Sequence, residues 1–514
     1  MIDLTARPSR RRAVTAHLIV GGLLQALFVV QSLVVLPLGV GMLGKEAFGF
    51  WLATGGILGW LSVANFGVAG LTVQRCAAAY GRGDLQGARD WFMHGVVFSG
   101  ASALLLACLV FSVAAFAPSW LGATGALARQ LTTGMIVAGC GFALTPVNDT
   151  ARGFVCALQR NGVALTAEIT AAALAFAFTV WSLFAGWGIA GLAWGSAIRM
   201  FAATVFSVGI AACYARLAAR STRWSSQILS EYRRCLAPLW SASVVSQVVA
   251  PLPVVLLTKL LGPVAGPSAA VAYTATVRPL GLVETFTMHA VSSTSAALSH
   301  LVEDPKSVEA APQRIRSASS WIFATACAGI AVVCLGDKGF ISLWVGADSF
   351  LGQPFVLAAA VASFALVQFR WLTNLGTSLG LVTSTANVQA VEGVMRAILM
   401  AAGVLLAGPV GIPVAAAISL LGAAAMVERR MAAQAAFPRV GIGRLDWLLG
   451  AGVMAAAASV AAPLVRSEDW LSWLASMLAS AVVVVFLVCL FSPDLRCFAR
   501  GLWLRSFRGR APAS

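Results

Sequence analysis

The sequence predicts an all-α membrane protein that crosses the bilayer about fourteen times. Three observations predict this fold class: 59% of the 514 residues are hydrophobic and only 11% are charged, the mean hydropathy is +0.87, and long apolar stretches are separated by short joints. These values lie outside the range of soluble globular proteins. A helix needs about 20 apolar residues to cross the hydrocarbon core. The chain contains fourteen such stretches, at about 13–41, 48–73, 91–117, 130–149, 162–185, 188–213, 238–261, 268–299, 317–336, 352–379, 387–407, 411–427, 446–464 and 470–492.

Internal repetition predicts how these helices are grouped. Glu168 recurs as Glu392 at an offset of 224, and the Gly-Ile pair that opens the following span recurs at an offset of 223. The Leu-Gly pair that ends the first span recurs 218 residues later. Two related six-helix halves explain these offsets, although chance recurrence in a chain with 49 glycines is the alternative. The predicted regions are bundles at 1–215 and 220–430, two extra helices at 445–492 and a basic tail at 493–514.

The positive charge of the chain predicts its orientation rather than a nucleic-acid partner. The net charge is +16, but under the predicted spans 26 of the 35 Lys and Arg residues fall on one side and 4 on the other. Cytoplasmic loops of membrane proteins carry such an excess of cations. We therefore expect both termini in the cytoplasm, an even number of spans and no nucleic-acid binding.

Of the ionisable residues inside the predicted spans, seven are candidate site residues, namely Glu168, Arg199, Arg278, Glu284, Arg370, Glu392 and Arg396. A charge at the bilayer centre costs roughly 2.5–3.5 kcal/mol, so these groups must pair with one another or line a cavity for a polar cargo. Arg278 and Arg199 have no acidic residue three or four positions away. The Glu392–Arg396 spacing favours an ion pair at least as much as a cargo site. Arg370 lies near a span end and can reach the headgroups.

Three short stretches share features with a known family, namely Leu43–Trp51, Asn65–Leu71 and Ile341–Phe350, as do the Gly-Ile starts of the sixth and twelfth spans. Together they resemble the polysaccharide transporter (O-antigen flippase) family. The resemblance covers most of residues 15–430. It implies the fold of the multidrug/oligosaccharidyl-lipid/polysaccharide exporter superfamily, two six-helix bundles around a central cavity. The last two helices depart from the twelve-helix core of that family.

The resemblance also implies a function. Members move polyprenyl-diphosphate-linked oligosaccharides to the outer leaflet of the bacterial inner membrane by alternating access, for O-antigen, capsule or exopolysaccharide export. The expected partners are this lipid-linked glycan, membrane lipid, and polysaccharide polymerase or export machinery. A guanidinium group binds phosphate through two parallel hydrogen bonds. The candidate residues are therefore Arg278, Arg199, Arg396 and Arg370 for the diphosphate and glycan, and Glu284, Glu168 and Glu392 as coupling or cavity carboxylates.

Two other function classes remain open. A cation-coupled multidrug exporter of the same superfamily typically uses an acid in its first bundle, whereas the first span here offers only His17, Gln25 and Gln31 as notable polar groups. A membrane enzyme such as a glycan polymerase or ligase is disfavoured by the short outer loops and by the lack of a nucleotide-binding or catalytic motif. The ten cysteines and four histidines show no metal-ligand spacing. We expect no enzyme activity, metal or cofactor.

Overall fold

The computed structural model describes residues 10–218, 221–303, 311–379, 381–434 and 469–491. The described residues form α-helices joined by short turns and 3-10 segments, and they contain no β-strand. Eight helical segments within them are long and apolar enough to cross a membrane. The predicted class, an all-α multi-pass membrane protein, is confirmed.

The chain divides into two compact units, residues 1–271 and 272–514. The helices of the first unit are α1 (Arg10–Trp60), α2 (Val68–Gly81), α3 (Leu85–Leu121), α4 (Gly125–Phe142), α5 (Thr145–Ala157), α6 (Asn161–Phe184), α7 (Ile189–Ala218), α8 (Ser226–Val249) and α9 (Leu252–Leu260). Helix α10 (Gly262–Glu303) begins in the first unit and continues into the second. The second unit also contains α11 (Ala311–Trp344), α12 (Gln353–Ser378), α13 (Val382–Ala407), α14 (Gly411–Gln434) and α15 (Trp470–Phe491).

The helices at the first two predicted spans begin and end at positions that the sequence pattern did not predict. They run together as α1, which is interrupted only at Gly44, where φ is +81° and ψ is 161°. Gly262, its counterpart in the predicted repeat, has φ +83°. L side chains rarely adopt this left-handed backbone, so both turns favour glycine. The second span is then broken by a 3-10 turn at Leu61–Asn65, after which Phe66 has φ +49°.

Other predicted spans consist of two helices each. The fourth becomes α4 followed by α5, and the seventh becomes α8 followed by α9, with Pro251 at the start of α9. The connection expected at 215–240 is shorter than predicted because α8 already begins at Ser226. The thirteenth predicted span (446–464) and the basic tail (493–514) lie outside the described residues.

The segment between α7 and α8, which the sequence predicts to be a cytoplasmic connection, forms hydrogen bonds with α3 in the first unit. The buried Asp90 carboxylate accepts a hydrogen bond of 2.8 Å from the backbone nitrogen of Arg223. His94 Nε2 accepts from the backbone nitrogen of Ser225 at 3.2 Å, and the imidazole ring lies 4.7 Å from the ring of Trp224. These contacts pair backbone groups that a free loop would leave to water.

The start of α8 continues this attachment. Tyr232 is fully buried, and its hydroxyl lies 2.6 Å from Thr72 Oγ1 on α2. Its ring stacks on Phe98, with centroids 4.7 Å apart, and Arg75 forms an ion pair with Glu231. The segment that begins the predicted second bundle therefore packs on the first unit. The compact units divide at residue 271, beyond the boundary of 215–220 that the repeat predicts.

Helix α15, the fourteenth predicted span, packs against α11 in the second unit. The indole nitrogen of Trp473 donates to the backbone oxygen of Gly336 at 3.1 Å, and Phe340 lies 5.5 Å from the Trp473 ring. Asp469 precedes the helix and accepts a 2.6 Å hydrogen bond from the backbone nitrogen of Ser472. This bond, together with the side-chain hydrogen bond to Ser472, lowers the pKa of the Asp469 carboxyl. Asp469 thus caps the N-terminus of α15.

Helices α13 and α14 approach most closely at two glycines. A Cβ atom added to Gly411 would overlap the backbone carbonyl group of Gly403, and one added to Gly403 would lie 2.5 Å from the Gly411 oxygen. Backbone atoms cannot rotate away as side-chain ends can. The Gly-Ile motif that opens the twelfth predicted span thus has a packing role.

We expect Gly411→Ala to destabilise the protein by about 1–3 kcal/mol, the usual cost of overpacking. Gly422→Ala on the same helix is the matched control, because no atom lies within 4 Å of the added Cβ there. The measurement is the melting temperature of the detergent-solubilised protein. Equal melting temperatures for both variants would contradict the close approach.

Candidate functional site

The first unit contains a buried polar cluster around Glu168 on α6. Glu168 is only 8% exposed, and its Oε1 accepts a 2.9 Å hydrogen bond from Asn148 Nδ2 on α5. Arg152, one turn further along α5, places Nε 4.0 Å from the same oxygen and Nη2 3.3 Å from Asp149 Oδ1. The Glu168 carboxylate is therefore both hydrogen-bonded and partly neutralised within its own unit.

Arg199 on α7 belongs to the same cluster. Its guanidinium carbon lies 4.6 Å from the centroid of the Phe28 ring on α1, a cation–π arrangement. The charge of Glu168 reaches it electrostatically. Its Nε atom is buried and makes no hydrogen bond with a described residue. The sequence showed that no acid lies nearby on the same helix, and the structure brings the acid from the neighbouring helix.

The second unit contains a corresponding cluster around Glu392 on α13. Glu392 is 4% exposed, and its Oε1 lies 3.1 Å from Arg396 Nε one turn later, the ion pair that the spacing favoured. Ser419 on α14 donates to the same oxygen at 3.1 Å. The N–H of Arg396 Nε does not point at a hydrogen-bond acceptor, so the pair is held by charge rather than by a well-aligned hydrogen bond.

Glu284 on α10 extends this second cluster. The hydroxyl group of Ser363 on α12 donates a hydrogen bond to Glu284, and Arg396 acts on both Glu284 and Tyr273 electrostatically. Arg370 on α12 is close enough to act on Glu392 and Arg396. The structure thus brings together four predicted residues: Glu284, Arg370, Glu392 and Arg396.

Arg278 lies on α10, where its side chain is exposed on the same face as the exposed His289 three turns later. Arg370 is exposed as well, whereas Glu168 and Glu392 are buried. Each cluster holds two carboxylates and two guanidinium groups. Of the seven predicted site residues, the two with exposed side chains, Arg278 and Arg370, are both positively charged.

Several polar residues of the two clusters were not predicted from the sequence. Asn148, Ser363, Ser419 and Tyr273 are common residue types without a motif, and only their positions in the folded bundle bring them to the charges. Asp337, a further buried carboxyl, was placed just beyond the end of the predicted ninth span. No group of three or more His, Cys, Asp or Glu residues arranged to hold a metal ion occurs among the described residues.

Comparison with known proteins defines the fold. No known protein family and no curated protein matches the sequence. Among solved structures, the lipid II flippase MurJ in an inward closed conformation matches with a TM-score of 0.70 at 12% identity, covering 93% of this chain and 99% of that one. An inward-facing multidrug resistance MATE transporter of the MOP superfamily matches with a TM-score of 0.61 at 17% identity, covering 78% and 95%. Its outward-facing counterpart gives 0.57 at 15% identity, covering 84% and 97%.

At these identities the likeness establishes the fold alone. The chain has the fold shared by these transporters and this flippase, as the resemblance implied. None of the three neighbours is named as an enzyme. The match to the polysaccharide transporter family itself stays a prediction.

We expect the Glu392–Arg396 pair to show strong coupling. Glu392→Met leaves the Arg396 charge buried without its partner and should cost about 3–5 kcal/mol, whereas Glu392→Met combined with Arg396→Met should recover most of this loss. Arg429→Met, at an exposed position of α14, is the control and should change little. Melting temperatures of the four proteins test this. A double variant that melts no higher than Glu392→Met would show that the pair does not interact.

Proposed function

We propose that the protein is a flippase that moves polyprenyl-diphosphate-linked oligosaccharide across the bacterial cytoplasmic membrane by alternating access, for polysaccharide export. The observation that carries this proposal is the sign of the exposed charge. The side chains of Arg278 on α10 and Arg370 on α12 are exposed, whereas Glu168, Glu284 and Glu392 are engaged in hydrogen bonds within their own units. An arginine side chain facing hydrocarbon is costly, and its fork geometry suits a diphosphate.

The extent of the structural likeness supports a lipid-linked substrate. Residues 1–434 make up about 84% of the chain, so the 93% coverage by the lipid II flippase must include part of the segment beyond them. The two MATE matches, at 78% and 84%, do not require that segment. The two helices predicted beyond residue 445 are therefore a feature that favours the flippase over the drug transporters.

In this proposal the four arginines have different roles. Arg278, exposed on α10, is the first contact for the diphosphate, and Arg370, exposed on α12, is the second. Arg199 feels the charge of Glu168 and Arg396 pairs with Glu392 in this conformation, and both turn to the substrate phosphate as the protein changes state. Glu168, Glu284 and Glu392 balance the arginines of their own units when no substrate is present. Membrane lipid surrounds the polyprenyl tail, and a polymerase or export machinery uses the glycan.

A cation-coupled multidrug exporter is the second candidate. The matches to MATE transporters in inward-facing and outward-facing conformations favour it. Such an exporter needs a carboxylate accessible to a cationic drug. Among the predicted site residues the buried, hydrogen-bonded Glu168 and Glu392 do not provide one in this conformation.

We expect Arg278→Ala to slow flipping about tenfold to a hundredfold, because a hydrogen bond to a charged group contributes about 1.5–3 kcal/mol and each 1.4 kcal/mol is tenfold. The assay follows a fluorescent polyprenyl-diphosphate-linked oligosaccharide in proteoliposomes as it becomes accessible from the opposite side. Arg314→Ala, an exposed cation at the start of α11 in the same unit, is the matched control.

Two results would contradict the proposal. One is flipping at the wild-type rate by Arg278→Ala together with Arg370→Ala. The other is a wild-type protein that exports a cationic dye but does not move the lipid-linked oligosaccharide, which would establish the multidrug exporter instead.

A further inference from the structure

A buried carboxyl outside both clusters has no hydrogen-bond partner among the residues that the structure describes. Asp337 lies on α11, seven residues before the helix ends at Trp344, and is only 2% exposed. Neither Oδ1 nor Oδ2 accepts a hydrogen bond from any described residue. A structural aspartate normally caps a helix or pairs with a cation, as Asp469 and Asp149 do in this protein.

The surroundings of Asp337 are apolar. Ile330 and Ile341 are fully buried on the same face of α11, and Cys334 one turn earlier is buried as well. The nearest side-chain amide along the chain, Gln353 Nε2, donates instead to the backbone oxygen of Cys334 at 3.3 Å. Lys338 is exposed and does not neutralise its neighbour.

Within the described part of the chain, the elements packed against α11 bring few ionisable groups. Helix α12 carries only Arg370, near its opposite end, and the described side chains of α15 carry none. Helix α10, which contacts α11 where Val283 meets Gly329, carries Tyr273, Arg278, Glu284 and His289, and the turn after α11 carries Asp348. On α11 itself are Arg314, Arg316, Cys327, Cys334 and Lys338. Of all these, the Cys334 thiol is the group that the Asp337 charge affects.

An ionised carboxylate buried alone is strongly disfavoured, because neither water nor a cation compensates its charge. The neutral acid costs far less at the same place. The side chain is therefore best accommodated as the protonated carboxyl in this conformation. An apolar side chain of the same size could be buried here at a lower cost in free energy, so packing alone does not explain a carboxyl at this position.

We propose that Asp337 is a proton-binding site that is loaded in this conformation and releases its proton when the end of α11 near Trp344 opens to water. The O–H bond of the carboxyl breaks, the carboxylate keeps the electron pair, and the proton passes to the aqueous phase. Trp344 lies about 10 Å away along the helix, at 1.5 Å per residue. The protonation stands on its own, whereas its use as a driving force for transport rests on the proposed function.

Infrared difference spectroscopy of the purified full chain tests the protonation directly. Wild-type protein should show the C=O stretch of a protonated carboxyl, and Asp337→Asn should lose that part of the band. Asp348→Asn is the matched control, since Asp348 is exposed just beyond the same helix and its removal should leave the band unchanged. An unchanged band in Asp337→Asn would overturn the proposal.

Thermal stability provides a second measurement that needs no transport. Raising the pH ionises Asp337 only in wild-type protein, and ionisation opposes burial. Wild-type protein should therefore lose melting temperature relative to Asp337→Asn and to Asp337→Leu as the pH rises. Parallel melting curves for wild type and both variants across the pH range would overturn the protonated state.

Transport separates this proposal from the proposed function. In proteoliposomes carrying the fluorescent lipid-linked oligosaccharide, a pH gradient should accelerate flipping by wild type and by Asp348→Asn, but not by Asp337→Asn. Gradient acceleration that persists in Asp337→Asn would overturn the coupling role. If wild type flips nothing while the infrared band depends on Asp337, the proposed function fails and the proton site remains.

Discussion

The hydrocarbon core of a membrane contains no water that could form hydrogen bonds with polar groups of the protein. Most of this structure depends on that constraint. Backbone groups must then be paired within the chain, which explains why the described residues are helical. The same constraint acts on side chains. Where α1 gives way to the 3-10 turn at Leu61–Asn65, the Ser62 hydroxyl donates to the Gly59 oxygen at 2.7 Å, so the irregular backbone finds a partner close by.

The same lack of water determines how the charged side chains are paired. Glu168 and Glu392 lie on equivalent helices of the predicted halves, and each is bonded by a polar side chain from a neighbouring helix, Asn148 in one unit and Ser419 in the other. The arginine partner differs, since it comes from the same helix in the second unit and from α5 and α7 in the first. This arrangement places two carboxylates and two guanidinium groups in each cluster.

Local features could be predicted from the sequence and long-range ones could not. The helical class and the Glu392–Arg396 pair depend on composition and on the 3.6-residue period. Contacts such as Ser363 with Glu284 arise when distant helices meet. Asp337 lies just beyond the predicted ninth span, which ends at residue 336, yet α11 continues through it to Trp344. The flanking apolar residues stabilise the helix there, whatever the local preference.

Helix α10 continues from the first compact unit into the second. The contacts of Asp90, His94 and Tyr232 fix the preceding connection to the first unit, and α10 then passes the boundary at residue 271 without interruption. Slack chain would absorb a rearrangement locally, whereas a continuous helix must flex or twist along its length. Pro267 and Pro279 lie on either side of the crossing and lower its stiffness there. Bending and twisting of α10 are therefore expected to concentrate at these two prolines.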